Sequence, residues 1–161
     1  MNVEWQFSPF GELSVHDVYE MLALRQQVFV IEQQCIYNDF DGYDQDAHHL
    51  LGWVEVDGKR VLGATLRVLA PGKKYAEASI GRVVSAPVVR GSGIGRELFG
   101  RGVAHAQQLY PDHDIRIGAQ AYLEQFYASF GFRSIAPFIE DDIPHIEMLR
   151  ARGPSPLTGQ V

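Results

Sequence analysis

The sequence predicts a mixed α/β fold, with its elements in the order β-α-β-β-β-α-β-α-β-β. Apolar residues recur at three- and four-residue spacing in some segments and form short β-branched runs in others, which separates helices from strands. Asp57-Gly58 joins two apolar runs, as in a β-hairpin with a two-residue turn. A glycine-rich stretch, residues 90–96, stands between a β-branched run and a helical pattern. We call this stretch the glycine turn.

The N-terminal third of the chain predicts an edge strand, a helix and a loop. Residues 3–7 read as a short strand. Ser14 and Asp17 resemble a capping box with Asp in place of Glu or Gln, and the helix should continue through Phe29. Residues 38–46, called the polar loop below, are rich in aspartate and contain a glycine. That glycine comes too early for an EF-hand, so we predict no metal site.

The rest of the chain is assigned from the same signals. The predicted elements after the polar loop are hairpin strands over residues 50–56 and 60–69, a strand over 78–85, a helix over 94–109, a strand over 115–119, a short helix over 123–130, and strands over 132–136 and 143–149. We predict a single domain over residues 1–152. Residues 153–161 hold two prolines and few apolar anchors, which predicts a disordered tail.

Composition and charge argue against several classes of partner. Of 161 residues, 46% are hydrophobic and 21% are charged, as expected for one ordinary globular domain. The net charge of −6 disfavours nucleic acid and anionic membranes, and it suits a cationic small molecule. One cysteine allows no internal disulfide, and the sequence shows neither an export signal nor a membrane-spanning stretch. We therefore expect a cytoplasmic protein that binds neither nucleic acid nor membrane.

The glycine turn has the composition of an anion-binding device. Its glycines let backbone N–H groups point into one concavity, beside the positive end of the following helix. A dinucleotide-binding turn needs G-x-G-x-x-G and a Walker loop ends in Gly-Lys-Ser/Thr, and neither spacing is present. The spacing that is present is R-x-x-G-x-G, formed by Arg90, Gly93 and Gly95.

This spacing resembles the pyrophosphate loop of the GNAT N-acetyltransferases, which lies between a strand and a helix. A second match, Y-x-x-x-G-F over residues 127–132, falls where GNAT enzymes carry a tyrosine near the sulfur of the coenzyme. Further segments resemble the ElaA-like subgroup of this family, namely residues 28–35, 39–44, 48–52 and 140–146. Together the resemblance spans residues 18–149. It implies the GNAT fold, a central twisted mixed sheet flanked by helices.

The resemblance implies acetyl-coenzyme A as cosubstrate and no metal. The residues it implies at the coenzyme are Val83, Val84, Ser85, Arg90, Gly91, Ser92, Gly93, Ile94, Gly95, Arg96, Gln120 and Tyr127. A backbone N–H among residues 83–85 would polarise the acetyl carbonyl. Gln120 stands where many members have an asparagine, and Tyr127 would be the general acid for the departing thiolate.

The transfer needs a neutral amine, whereas a free alkyl amine has a pKa near ~10.4. The sequence offers several candidate bases, which are Glu32, Glu77, His48, His49, Glu140, Asp141, Asp142 and His145. We favour Glu140 or His145, and histidine is attractive because its pKa lies near neutrality. A chain of water molecules without a single base stays open.

Asp39, Asp41 and Asp44 of the polar loop have two interpretations. They form either a solvated loop or a rim that docks a cationic amine. The predicted function is acetyl-coenzyme A-dependent transfer of an acetyl group to a primary amine, by direct attack in a ternary complex. The alternative is a non-catalytic module that binds and senses acyl-coenzyme A. The expected acceptor is a small amine or a peptide amine, and a homodimer is a further expected partner because GNAT proteins often dimerise.

Overall fold

The computed structural model describes residues 1–153 and arranges them as a seven-stranded mixed sheet with flanking helices. The strands are β1 (Glu4–Pro9), β2 (His48–Val56), β3 (Lys59–Leu69), β4 (Ala78–Ser85), β5 (Ile115–Gln120), β6 (Arg133–Glu140) and β7 (Ile143–Arg150). The helices are α1 (Val15–Arg25), α2 (Ile94–Leu109) and α3 (Glu124–Ala128). The strand order is β1-β2-β3-β4-β5-β7-β6, which confirms the predicted mixed α/β class.

The chain divides into two compact units. The first comprises Met1–Val68 and Arg82–Gly102, and the second comprises Leu69–Gly81 and the described residues from Val103 onward. The single domain over residues 1–152 stays a prediction. All but the first residue of the predicted tail lies outside the described residues.

In the first unit, the predicted hairpin and helix cap are both present. Asp57 and Gly58 join β2 to β3 with φ of 51° and 77°, as a type I′ turn requires. Ser14 Oγ accepts a hydrogen bond from the Asp17 N–H at 3.0 Å and so caps α1. β1 pairs antiparallel with β2, and β2 pairs antiparallel with β3. α1 ends at Arg25, whose side chain is described with the candidate site below.

The chain is helical through Phe29 as predicted, but in two forms, since α1 ends at Arg25 and a π-helix follows over Gln26–Glu32. The wider turn shows in the bond from the Gln33 N–H to the Val28 carbonyl at 3.1 Å. A π-helix keeps apolar residues on one face over one or two turns, so their spacing in the sequence does not distinguish it from an α-helix. Such segments are frequent at functional sites.

In the second unit, β7 lies between β5 and β6 and is antiparallel to both. β6 extends to Glu140, beyond the predicted end at Ala136, and turns into β7 through Asp141 and Asp142, whose φ angles are 51° and 61°. The register places His145 of β7 opposite Gln120 of β5 and also opposite a residue of β6. Directly opposite residues of antiparallel strands project from the same face, so these side chains are neighbours.

Candidate active site

The glycine turn lies in the first unit and has the predicted backbone. α2 begins at Ile94, and the Glu97 N–H donates to the Gly93 carbonyl at 3.2 Å as the first turn of helix closes. A helix generally leaves the N–H groups of its first turn without a carbonyl partner four residues earlier in the helix. Gly91 and Gly93 have φ of 84° and 85°, a left-handed conformation that glycine adopts without the usual steric cost.

The space beside this turn is open. A Cβ built on Gly91, Gly93 or Gly95 meets no atom within 4 Å, and residues 91–93 are exposed. Ser92 Oγ accepts from the Ile94 N–H at 3.4 Å and donates to the Val89 carbonyl at 2.5 Å, which orders the entry to the helix. Backbone donors at a helix N-terminus, with room beside them, fit a diphosphate group. The turn therefore fits the pyrophosphate of a coenzyme A thioester.

Arg90, the first residue of the glycine turn, is held by two partners. Its Nη2 lies 2.7 Å from Glu32 Oε1 and donates to the Ser85 carbonyl at 3.4 Å. The Arg90 and Glu32 side chains are 41% and 39% exposed, so water screens their attraction. Arg90 can exchange this carboxylate for a phosphate at low cost. Glu32 is thus the partner of the turn rather than an unoccupied base.

Residues 83–85, one of whose N–H groups is predicted to donate to the acetyl carbonyl, form the end of β4. The parallel register of β4 with β5 joins Ala78 to Ile115 and Ser79 to Arg116, and it includes no later β4 residue among those described. Arg82 has a φ of 51°, a left-handed conformation inside a strand, as in a β-bulge. Residues 82–85 still belong to β4, which lies between β3 and β5 in the sheet, and the Ala86 N–H donates to the Gly63 carbonyl at 2.7 Å just after the strand ends.

The aspartates of the polar loop are paired with arginines, which corrects the prediction of a solvated loop or an amine-docking rim. Asp39 and Asp44 are only 7% and 6% exposed. Arg25 donates to Asp39 Oδ2 at 2.9 Å and to both Asp44 oxygens at 2.8 and 2.9 Å. Arg67 donates to both Asp41 oxygens at 2.8 and 2.5 Å and to Asp44 at 2.9 Å. Carboxylates held in this way have no place for an incoming ammonium group.

A third arginine completes this arrangement. Arg82 Nη2 donates to Asp41 Oδ2 at 3.0 Å and to the Asp39 carbonyl at 3.1 Å, and its Nε lies 2.7 Å from Asp39 Oδ1. The Tyr37 hydroxyl donates to Asp39 Oδ1 at 2.6 Å. We call Arg25, Arg67, Arg82, Asp39, Asp41 and Asp44 the buried charge cluster. Its three positive and three negative charges balance, as burial of ions demands.

Four of these groups, Asp41, Asp44, Arg25 and Arg67, stay ionised at neutral pH. Burial alone would raise the pKa of Asp41 and Asp44, but hydrogen bonds and charges from the arginines lower each pKa below its ordinary value. Burial would likewise lower the pKa of Arg25 and Arg67, and the aspartates raise both. The cluster is therefore a set of ion pairs and does not exchange protons with a substrate.

Two candidate histidines have other roles. His48 stacks on Phe7 with 5.4 Å between ring centroids. His49 is buried, and its Nε2 lies 2.9 Å from the Asp44 carbonyl, which only accepts, so Nε2 carries the proton. Burial lowers the pKa of His49, so the ring stays neutral. It supports the polar loop.

Three candidate acids are also accounted for. Glu77 accepts from Arg116 at 2.9 and 3.1 Å, and these hydrogen bonds lower the pKa of Glu77. A carboxylate that is harder to protonate is a weaker base. Asp141 and Asp142 form the turn between β6 and β7.

The second unit places His145 beside Gln120 and gives it the form of a base. His145 Nδ1 lies 2.7 Å from the Ile143 carbonyl, and the ring stacks on Phe138 with centroids 5.1 Å apart. Because a carbonyl only accepts, Nδ1 carries the proton and Nε2 is the unprotonated nitrogen of the neutral ring. Glu140, the other favoured candidate, is exposed at the end of β6. The geometry therefore favours His145 over Glu140.

Tyr127 lies on α3 and is 7% exposed. Its ring meets Phe126 edge to face, with centroids 5.2 Å apart at 78°. Burial, together with the neighbouring Tyr122, raises the pKa of the Tyr127 phenol above its ordinary value. The phenol therefore keeps its proton at physiological pH, as a hydrogen-bond donor must.

The arginines of the buried charge cluster were missed at the level of sequence. Each stands in an apolar segment, as Arg67 does between Leu66 and Val68, and a charge in such a segment indicates a buried ion pair. Their aspartate partners lie 14 to 43 residues away, so no local spacing identifies them.

The part of the chain that the structure describes contains neither a helix able to cross a membrane nor a cluster of side chains suited to a metal ion. No helix there is both long and apolar enough to cross a membrane. No group of three or more histidine, cysteine or acidic side chains in those residues is arranged to hold a metal ion.

Comparison with known proteins gives consistent results. Residues 16–151 match the family model described as an acetyltransferase (GNAT) domain. ElaA from Escherichia coli is 40% identical over 151 residues, which cover 92% of this chain and 96% of ElaA. A UPF0039 protein from Synechocystis sp. is 39% identical over 150 residues, with the same coverage of 92% and 96%.

Solved structures extend the likeness to the fold. The crystal structure of an acyl-CoA N-acyltransferase from Pseudomonas aeruginosa superposes with a TM-score of 0.86 at 40% identity, over 93% of this chain and 100% of that one. The crystal structure of Escherichia coli ElaA superposes with a TM-score of 0.84 at 38% identity, over 93% and 100% of the two chains.

Proposed function

The chain belongs to the GNAT acetyltransferase family, and from that premise we propose that it transfers an acetyl group from acetyl-coenzyme A to a primary amine. The fold implies an acyl-coenzyme A cosubstrate. The observation that carries the proposal is the glycine turn, with its left-handed Gly91 and Gly93 and the open space beside them. The coenzyme supplies a thioester. The protein binds the coenzyme, donates a hydrogen bond to the acetyl carbonyl oxygen, and accepts or donates the protons that the reaction moves.

We assign the coenzyme to the first unit through backbone contacts. The N–H groups of the glycine turn hold the pyrophosphate, and Arg90 adds a cation once it leaves Glu32. An N–H among residues 83–85 donates to the acetyl carbonyl oxygen, where negative charge develops during attack. The net charge of −6 supports a cationic acceptor, either a small amine or a peptide amine.

We assign the base to His145, whose Nε2 is the unprotonated ring nitrogen. It accepts the proton that the amine must lose, while the Ile143 carbonyl fixes the tautomer. His145→Gln should lower kcat/KM by about 10²-fold or more, with coenzyme affinity unchanged. Glu140→Gln is the matched control and should stay within about twofold of wild type. Equal activity of the two variants would instead support a chain of water molecules.

Tyr127 contributes a hydrogen bond rather than a strong acid. A thiol has a pKa near ~8.5, so full transfer from a phenol whose pKa is raised above its ordinary value is uphill. Donation to the departing thiolate is worth the 10- to 100-fold typical of a hydrogen bond to a charged group, at about 1.5–3 kcal/mol. Tyr127→Phe should therefore lower kcat by about 10- to 100-fold and leave coenzyme affinity unchanged. Unaltered turnover would remove Tyr127 from the reaction.

A thiol-release assay separates this proposal from a sensing module. The protein would be incubated with acetyl-coenzyme A and a panel of polyamines, aminoglycosides and N-terminal peptide amines. Amine-dependent release of coenzyme A, with the acetylated product seen by mass spectrometry, is the expected result. Calorimetry would run in parallel. Tight acetyl-coenzyme A binding without release on any amine would favour the sensing module.

A further inference from the structure

Arg82 has a backbone conformation that its neighbours in the strand do not share. Five non-glycine residues among those described have positive φ, and the other four lie in turns or at the end of the π-helix. They are Gln34, Asp57, Asp141 and Asp142. Arg82, with φ of 51°, lies inside β4 and directly before Val83. A residue with a Cβ stays in this region when its surroundings hold it there.

The surroundings that hold Arg82 are the carboxylates of the polar loop. Its guanidinium contacts Asp39 Oδ1 at 2.7 Å, Asp41 Oδ2 at 3.0 Å and the Asp39 carbonyl at 3.1 Å. It also lies over the Tyr37 ring, 5.6 Å from the centroid. The Arg82 side chain is 18% exposed, so these contacts are little weakened by water.

The same carboxylates are anchored to two other elements. Arg25 at the end of α1 holds Asp39, and Arg67 near the end of β3 holds Asp41. Both arginine side chains are 1% exposed. Each aspartate therefore keeps one buried arginine partner without Arg82. The contribution specific to Arg82 is the link between this rigid set of charges and the backbone of β4.

We propose that Arg82 is a positioning residue, whose clamped side chain holds β4 in its left-handed kink and so directs the N–H groups of residues 83–85 toward the thioester carbonyl. The inference rests on the proposed function, since it needs a bound acyl-coenzyme A. Arg82 itself touches neither the coenzyme nor the acceptor. Its effect passes through the φ angle of one residue.

Replacement by glycine and by alanine separates this role from a stabilising one. Arg82→Ala removes the clamp and leaves a Cβ that favours negative φ, so the kink relaxes. Arg82→Gly removes the same clamp but allows φ of about +51° without steric cost, so the kink persists in part. A purely stabilising role would make the two variants alike.

The readouts need no acceptor amine. One is the infrared stretch of the carbonyl of [1-13C]acetyl-coenzyme A bound to each protein, which moves to lower frequency when N–H groups donate to it. The other is the ratio of affinities for acetyl-coenzyme A and coenzyme A. In wild type we expect a lowered frequency and an acetyl preference of severalfold. Arg82→Ala should lose both, Arg82→Gly should retain part of both, and coenzyme A affinity should stay within about twofold throughout.

The outcomes distinguish the two proposals. Failure of the wild type to bind acetyl-coenzyme A overturns the proposed function and this inference together. Binding with an unshifted carbonyl in wild type, or with the same shift in wild type and Arg82→Ala, overturns the inference alone. If the alanine variant does not fold, Arg82→Lys keeps the charge but not the forked contacts and takes its place. A full wild-type shift in Arg82→Lys would also overturn the inference.

Discussion

The glycine turn and the polar loop both have the composition of a binding site, and only the turn is open to a ligand. In the turn, a Cβ on Gly91, Gly93 or Gly95 would meet nothing within 4 Å. In the polar loop, Asp39 and Asp44 are 7% and 6% exposed and their oxygens accept from arginines. The contrast shows that the glycine turn keeps room for a ligand beside a helix N-terminus, whereas the charged side chains of the polar loop already have partners from elsewhere in the fold.

The two regions also differ in the free-energy cost of their structures. The turn adopts left-handed angles at glycines, where these angles cost little. The buried charge cluster takes six ionised groups out of water, and this is tolerable only while the charges stay matched. Substitutions in the turn should therefore act on binding, and substitutions in the cluster should act on stability.

The largest expected effect is in the cluster. Arg25→Met removes one partner from both Asp39 and Asp44 and should lower the free energy of unfolding by about 3–5 kcal/mol, because it leaves buried charge uncompensated. Arg101→Met is the matched control, since its ion pair with Glu97 is 46% exposed on each side. It should cost less than about 1 kcal/mol. Chemical denaturation measures both, and similar losses would show that the cluster is not energetically distinct.

The next effect is in the turn. Gly93→Val places a branched side chain in the open space and in a left-handed position, and it should weaken coenzyme A binding by about 100-fold or more, or ~2.7 kcal/mol. Gly72→Val is the matched control, because Gly72 also has φ of 85° and no atom within 4 Å of a built Cβ. Both variants should lose about 1–2 kcal/mol of stability through strain.

Calorimetric titration with coenzyme A and chemical denaturation would be run on both glycine variants. Loss of coenzyme A binding in Gly93→Val, with binding retained in Gly72→Val, would support the pyrophosphate site at the glycine turn. Binding that survives in Gly93→Val, or that fails equally in Gly72→Val, would contradict the assignment of the pyrophosphate to the glycine turn.

The contrast also shows what the sequence can predict. The Asp57-Gly58 hairpin, the cap at Ser14 and the boundaries of α2 were predicted correctly, since each depends on residues close together in the chain. The π-helix after Arg25 and the pairing of the polar loop were not. A π-helix differs from an α-helix by a small change in winding, and the loop's partners stand on α1, β3 and β4.

The candidate site also contains parts that nearby residues determine and parts that depend on residues distant in the chain. The place of the glycine turn directly before α2 was predicted from local spacing, and the structure adds the left-handed φ angles of Gly91 and Gly93. His145 could not be chosen over Glu140 until the Ile143 carbonyl fixed its tautomer and Phe138 fixed its ring. No pattern in the sequence indicated Arg82, because its proposed role depends on its φ angle and on aspartates that lie 41 and 43 residues away in the chain.

The smallest expected effect is a pH dependence that arises at His49, which contacts the Asp44 carbonyl of the polar loop. His49 has an ordinary pKa near ~6.5 in the unfolded chain, and burial lowers its pKa in the folded protein. The unfolded state therefore binds the proton more readily, so stability is full above about pH 6.5 and falls as the pH drops below it. The slope should not exceed about 1.4 kcal/mol per pH unit. Below about pH 4 a second loss should begin, because the pKa of Asp41 and Asp44 is also lowered by folding.

Denaturation curves between pH 7 and 5 test the first stage. His49→Gln keeps an N–H donor for the Asp44 carbonyl but cannot titrate, so its unfolding free energy should be flat over this range. A wild-type slope that persists in His49→Gln would assign the loss to another group. The glycine turn offers backbone amides, which do not titrate here, and Gly93→Val should therefore keep the wild-type slope. A slope that is lost in His49→Gln and kept in Gly93→Val would separate the region that stabilises the fold from the region proposed to bind the ligand.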